Sequence, residues 1–209
     1  MFQRVLLALC LIAVPLTAHA QVVNLAVNPS LEQDEVILDD PDWADWYTWN
    51  DAAGAGSNVE FDNSEFIDGT RSLRIEPIGT ENWHFIVAND GNAVTMGANN
   101  TVSFWAKAEE IRPLGAHIKA TDNSIDFGYT DFTLSTEWAE YTFTFEALIT
   151  PVKVEFFCAT SETNFWLDFL NVYEGEYVGG ILPSEINVPG SVKPADKLSV
   201  TWGALKLAQ

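Results

Sequence analysis

The sequence predicts an all-β fold, an antiparallel β-sandwich of the jelly-roll kind. Three observations carry that reading. Apolar and polar residues alternate with period two from residue 23 to 174. Gly, Asn, Asp and Pro clusters interrupt the alternation at short, regular intervals, as turns do. Finally, the strand-favouring residues Val, Thr, Phe and Trp are abundant and Lys is scarce, where a helical bundle would be rich in Glu and Lys.

The elements follow in order. Residues 1–20 carry Arg4, the apolar stretch Val5 to Leu16 and the small-residue site Ala18-His19-Ala20, which together read as a secretory signal cleaved after Ala20. The run is too short to span a bilayer. Strands are predicted near 23–27, 46–50, 58–62, 71–77, 83–89, 100–108, 115–121, 126–130, 138–146, 152–159 and 164–173. Turns are predicted at Asp51 to Ser57, Asp68-Gly69, Asn89 to Asn92, Asp122-Asn123 and Ser161-Glu162. One domain over residues 21–176 accounts for all of them. Residues 177–209 then shift to Pro183, Pro189, Gly190 and Pro194 with three lysines. A linker-like tail that docks to a secreted protein partner or serves sorting is one reading of this segment, and a frayed terminus is the other.

Charge narrows the function. With 30 acidic against 10 basic residues the chain carries a formal −20. Nucleic acid and anionic membranes need a positive surface and are disfavoured as partners, as are polyanionic glycans. A neutral partner fits. After signal cleavage Cys158 is the only cysteine, at the parity of Val152, Val154 and Phe156, so it reads as a buried, inert thiol. Catalytic signatures are missing: no nucleophile elbow occurs, and Gly54-Ala55-Gly56 is a turn with no helix after it. Glu32-Gln33-Asp34-Glu35 offers solvated loop carboxylates, unlike the desolvated acid that glycosidases place opposite a second carboxylate. Asp122-Asn123-Ser124-Ile125-Asp126 lacks the bidentate Glu that closes an EF-hand loop and reads as a hairpin turn.

Six motifs in order resemble one family. Asn28-Pro29-Ser30-Leu31-Glu32 is similar to the opening of family 4, 9 and 22 carbohydrate-binding modules. Trp46-Tyr47-Thr48-Trp49-Asn50, Asp68 to Ile75 with Trp83, Thr101 to Ala108, Glu137 to Phe145 and Trp166 to Gly175 complete the series. In the last motif Phe169 replaces an Asp usual in the family. The resemblance implies a galactose-binding-like jelly roll with a structural calcium. It implies Glu32 and Asp168 as side-chain ligands, with main-chain carbonyls near Ser30 and Arg71 adding others. That donor set suits Ca²⁺, which takes hard oxygens. By strand parity Asp168 groups with Trp166, Leu170 and Val172 and is expected to point inward.

The resemblance further implies a sugar cleft on the outer face of one sheet, where aromatic rings stack on pyranose faces and polar groups meet hydroxyls. Trp83 resembles the family's cleft tryptophan. Trp105, His117 and Phe157 fall on outward parity, because Phe104, Ile118 and Phe156 take the core side. These four form the expected platform, with Lys107, Lys119 and Glu155 as polar flanks. Trp46, Trp138 and Trp166 are assigned to the core, and Trp43 and Trp49 to neither. The expected function is a secreted, non-catalytic module binding a neutral polysaccharide or oligosaccharide. The alternatives are a structural or adhesive surface protein whose jelly roll has lost sugar binding, and a small glycan hydrolase.

Overall fold

A computed structural model describes residues 22–32 and 46–178. The expected signal, Trp43, Gln33 to Glu35 and most of the tail lie outside the described residues. Ten strands run β1 (Trp46–Asn50), β2 (Asn58–Asp62), β3 (Ser72–Glu76), β4 (Phe85–Asn92), β5 (Asn99–Ala108), β6 (Arg112–Ala120), β7 (Asp126–Leu134), β8 (Ala139–Glu146), β9 (Val152–Phe157) and β10 (Phe165–Glu174). No α-helix occurs among the described residues; two single-turn 3-10 segments sit at Ala52–Gly54 and Asn82–His84. Every strand pairing is antiparallel, and the strands divide into two five-stranded sheets, β1-β4-β9-β6-β7 and β2-β3-β10-β5-β8.

Alternation explains the core. In the first sheet Trp46, Phe85, Val87, Leu114, Ala116, Ile118, Val154 and Phe156 point inward; in the second, Leu73, Ile75, Val102, Phe104, Leu167, Leu170 and Val172 do. Phe104 meets Phe156 across the gap at 4.9 Å between ring centroids, edge to face. Cys158 is fully buried, and desolvation pushes its thiol up to about 12, so it stays protonated at neutral pH.

The structure differs from the sequence expectation at several places. Residues 23–27 form a single bridge at Val23 and no strand. Buried asparagines hold this segment instead. Asn24 donates to the Leu170 carbonyl and accepts from the Val172 amide, while Asn89 and Asn92 bond the Val27 backbone. Asn89 to Asn92, expected as a turn, lie within β4, where Gly91 (φ +81°) marks an irregularity in the register against β9.

The larger correction concerns β10. Its register shifts between Asp168 and Leu170, and Phe169 takes φ +41°. This bulge inverts the parity: Leu167 and Leu170 both face the core, and Asp168 lies outside it. Trp166 is likewise buried on the outer face, where its indole donates to Asp62 and Lys107 lies 5.0 Å from its ring. Trp138 is half-buried just before β8 and does not belong to the core cluster.

Candidate functional site

The register of the first sheet sets out its outer face in rows. One row runs Trp49, Ile86, Phe157, Gly115 and Asp131. The next runs Tyr47, Ala88, Glu155, His117 and Tyr129. Lys153 and Lys119 are paired in the row beyond. An aromatic row thus borders a charged one. Between them opens a cleft of about 480 Å³ lined by Tyr47, Trp49, Trp83, Ile86, Lys119, Asn123, Lys153, Glu155 and Phe157.

Trp49 and Trp83 are 42% and 43% exposed, so two large apolar rings face solvent on one side of the cleft. Their centroids are 6.3 Å apart with planes at 40°. Trp83 is held from beneath. His84 packs edge-on against it at 4.5 Å, and the His84 ring accepts the Thr80 and Glu81 amides. The His84 carbonyl accepts the Asp51 amide, and a Cβ on Gly54 would come within 2.0 Å of that carbonyl oxygen. Gly54 therefore lets the β1 end and the Trp83 turn close on each other.

Tyr129 lies on the same outer face, beside Phe157. Asp126 pairs with Lys119, Gly128 at φ +129° pairs with Ile118, and Phe127 is the extra residue between. This bulge lets Phe127 pack on the core while Tyr129, two residues on, takes the outer face beside His117 and Phe157. The Tyr129 ring lies 5.6 Å from Phe157 and 6.1 Å from His117, and its hydroxyl accepts from Asn82 next to Trp83.

The floor is charged and largely buried. Glu155 is 5% exposed, with Oε1 3.3 Å from Lys153 Nζ and Oε2 3.2 Å from Lys119 Nζ. His117 Nδ1 is 3.5 Å from Oε2, without the alignment of a hydrogen bond, while Nε2 bonds Asp126 at 2.7 Å. Burial works against the Glu155 charge, but His117 and the two ammonium groups outweigh it and hold the carboxyl down at about 2. Lys153 also donates to the Tyr47 hydroxyl. Desolvation, with Glu155 and Asp90 nearby, keeps that phenol protonated.

The four expected platform residues do not meet. Trp83 and Phe157 line the cleft, and His117 lies beside Phe157 at 5.6 Å but is only 8% exposed, so it supports the floor from below. Trp105 faces outward as parity required, yet on the second sheet, where it pairs with Asp168 and Glu140. Alternation decides which face of a sheet a residue takes, not which sheet. Lys107 shares that misplacement. Sequence reading left Trp49 undecided and missed Tyr47, Tyr129 and Lys153 altogether; the alternation Tyr47-Thr48-Trp49 behind the core residue Trp46 was the available signal.

Glu32 and Asp168 reach the same turn, residues 67–71, from different sides. Glu32 accepts the Thr70 and Arg71 amides and the Thr70 hydroxyl; Asp168 accepts the Ile67, Asp68 and Phe169 amides. Arg71 turns its guanidinium onto the Leu31 carbonyl and over the Phe61 ring. Ser30 lies in the turn before Leu31, whose amide bonds the Asn28 carbonyl. Burial raises the Asp168 carboxyl to about 7 despite its three amide donors. Two carboxylates bonded to one turn offer the hard oxygens that calcium takes, and no Lys or Arg among the described residues forms an ion pair with Asp168. No group of three or more acidic, His or Cys side chains suited to a metal occurs among the described residues, so main-chain carbonyls would complete the shell.

A two-sheet antiparallel sandwich of this kind serves many functions, so the fold alone does not assign one. A family model described as a carbohydrate binding domain, CBM_4_9, matches residues 23–163, and the chain belongs to that family. A solved CBM4 module superposes with a TM-score of 0.57 at 21% identity, covering 71% of this chain and 99% of that one. The apo form of the BiXyn10A CBM1 module gives 0.52 at 13% identity, covering 62% and 89%. The enzymatically active domain of bacteriophage CBA120 tailspike protein 4 gives 0.55 at 10% identity, covering 73% of this chain but 21% of that one. At such identities these likenesses show the fold alone. Among curated proteins no sequence matches this chain.

Proposed function

We propose that the protein is a secreted, non-catalytic module that binds a polysaccharide of neutral backbone in the cleft between Trp49, Trp83 and the β9 floor. The observation that carries this reading is the pair of half-exposed indoles beside a buried polar floor. Indole faces stack on the apolar side of a pyranose, and fixed charged groups below exchange hydrogen bonds with its hydroxyls. Glu155, the carboxylate of the cleft lining, does not suit the general-acid role in glycoside hydrolysis: that acid needs a raised pKa, whereas this carboxyl is held at about 2. A structural calcium between Glu32 and Asp168 belongs to the same reading, supported by the buried, cation-free carboxylate of Asp168.

The test is titration calorimetry of the protein against soluble β-glucan, xylan and galactomannan, with a reducing-end assay run in parallel. Expected is a dissociation constant of about micromolar to millimolar, since an open groove desolvates only part of each sugar, together with no release of reducing ends. Absence of binding to every glycan offered overturns the reading, and so does turnover.

A further inference from the structure

Building on the polysaccharide reading, we infer that the cleft recognises a sparse uronic acid, one carboxylate-bearing sugar on an otherwise neutral chain, through the Lys119 end of its floor. Among the described residues there are six Lys and Arg side chains: Arg71, Arg74, Arg112, Lys107, Lys119 and Lys153. Two of the six converge in this aromatic cleft, in a protein of charge −20.

Their partners set them apart. Arg74 meets Glu60 and Glu76 at 2.7 and 2.6 Å, and Lys107 meets Glu65 at 2.9 Å. Lys119 and Lys153 instead share the single carboxylate of Glu155, each at more than 3 Å. The residues lining the cleft therefore carry two cations against one anion. Asp126, the next acid outward, bonds His117 Nε2 and the Gly128 amide, and its side chain is 62% exposed, so water screens it. Lys153 is buried between Glu155 and Tyr47, while Lys119 keeps 29% of its side chain exposed and lies on the cleft wall with Asn123. Lys119 is thus the ammonium that a ligand carboxylate can reach, and Asn123 is at hand for its second oxygen.

The overall charge does not oppose this. Repulsion from distant surface carboxylates fades over about 8 Å at physiological salt, so it penalises a densely charged chain far more than one uronate seated on an ammonium. The lining residues carry one more cation than anion, with Asp90 and Asp126 just outside them, which suits one carboxylate per binding site.

The experiment compares glucuronoxylan, sparsely C6-oxidised β-glucan and sparsely C6-oxidised galactomannan, each beside its carboxyl-reduced counterpart of the same backbone. Expected is a dissociation constant about fivefold lower for the uronate form of the backbone that binds, the upper range for a partly exposed ion pair. That ratio should shrink as salt is raised, fall to near one in Lys119→Gln and return in Lys119→Arg, with melting curves confirming that the variants fold. Equal binding of the two forms, or a ratio untouched by Lys119→Gln, overturns the uronate inference and leaves the polysaccharide reading standing. Failure of every form to bind overturns both.

Discussion

The phenol of Tyr129 occupies the space that a side chain at Gly115 would fill: a Cβ there would lie 1.9 Å from the Tyr129 hydroxyl oxygen. Gly115 sits between Phe157 and Asp131 in the aromatic row, and its bare backbone lets the tyrosine lie across β6 to reach Asn82. One absent side chain thereby joins β7 to the turn that carries Trp83.

Gly115→Ala should therefore lift Tyr129 off the sheet and weaken polysaccharide binding. The Tyr129→Ala change should remove most of that effect, so the double variant binds no worse than Tyr129→Ala alone. A double-mutant cycle by calorimetry reads this coupling. Additive losses would show that Gly115 acts by another route.

The tryptophans separate by position. Trp83→Ala and Trp49→Ala remove half-exposed rings and should leave the melting temperature nearly unchanged while abolishing binding. Trp46 is 2% exposed and stacks on Phe156, so Trp46→Ala should cost roughly 3–5 kcal/mol in denaturant titration. Trp105→Ala should leave glycan binding intact, because the ring belongs to the other sheet. Loss of binding in a folded Trp105→Ala protein would move the site to that face.

Acid stability tests the floor. Glu155 has a lowered folded pKa of about 2, so its contribution is present above its unfolded value of about 4.5 and is lost as pH falls through 2. His117 runs the other way. Burial disfavours its charged form, but Glu155 and Asp126 raise its pKa overall, so its contribution is present below about 6.5 and fades as pH rises past its raised folded value. Melting temperature against pH should show both limbs, the acid limb shrinking in Glu155→Gln and the upper one in His117→Gln. Unchanged limbs in these variants would mean that other groups govern the profile.

Chelation tests the other end of the sandwich. EDTA should lower the melting temperature and calcium restore it, by binding linkage. Glu32→Ala should abolish the response and also lower the baseline, since it removes acceptors for the Thr70 and Arg71 amides. A melting curve indifferent to EDTA and to calcium would overturn the calcium reading and leave the Thr70 and Arg71 hydrogen bonds to tie Glu32 to the turn.

Much of this was legible in the sequence, and the failures share a cause. Period-two alternation located the strands and their core faces, because burial on one side of a sheet forces it. Bulges defeated it. Phe169 reverses the parity of β10, so Asp168, grouped by sequence with Leu170, lies on the opposite face. Gly128 likewise lets Phe127 and Tyr129 part company, and Tyr129 escaped notice. Sheet membership was also out of reach: β4 and β9 pair although about sixty residues separate them, and nothing local in Trp105 marks β5 as belonging elsewhere. Lys119 and Glu155 were assigned the right face, but their shared carboxylate is a product of cross-strand register.

The asparagine clasp of the first segment has a bearing on how the chain must assemble. Asn24 bonds the Leu170 carbonyl, the Asn171 side chain and the Val172 amide, residues 146, 147 and 148 positions away. The segment has no strand ladder of its own, so these partners must exist before it can settle. A chain emerging from the ribosome can form the β6–β7 hairpin early, but the three Asn24 bonds stay unmade until β10 has formed. Synthesis order and closure order are opposed: the first described residues of this protein are among the last to find their place.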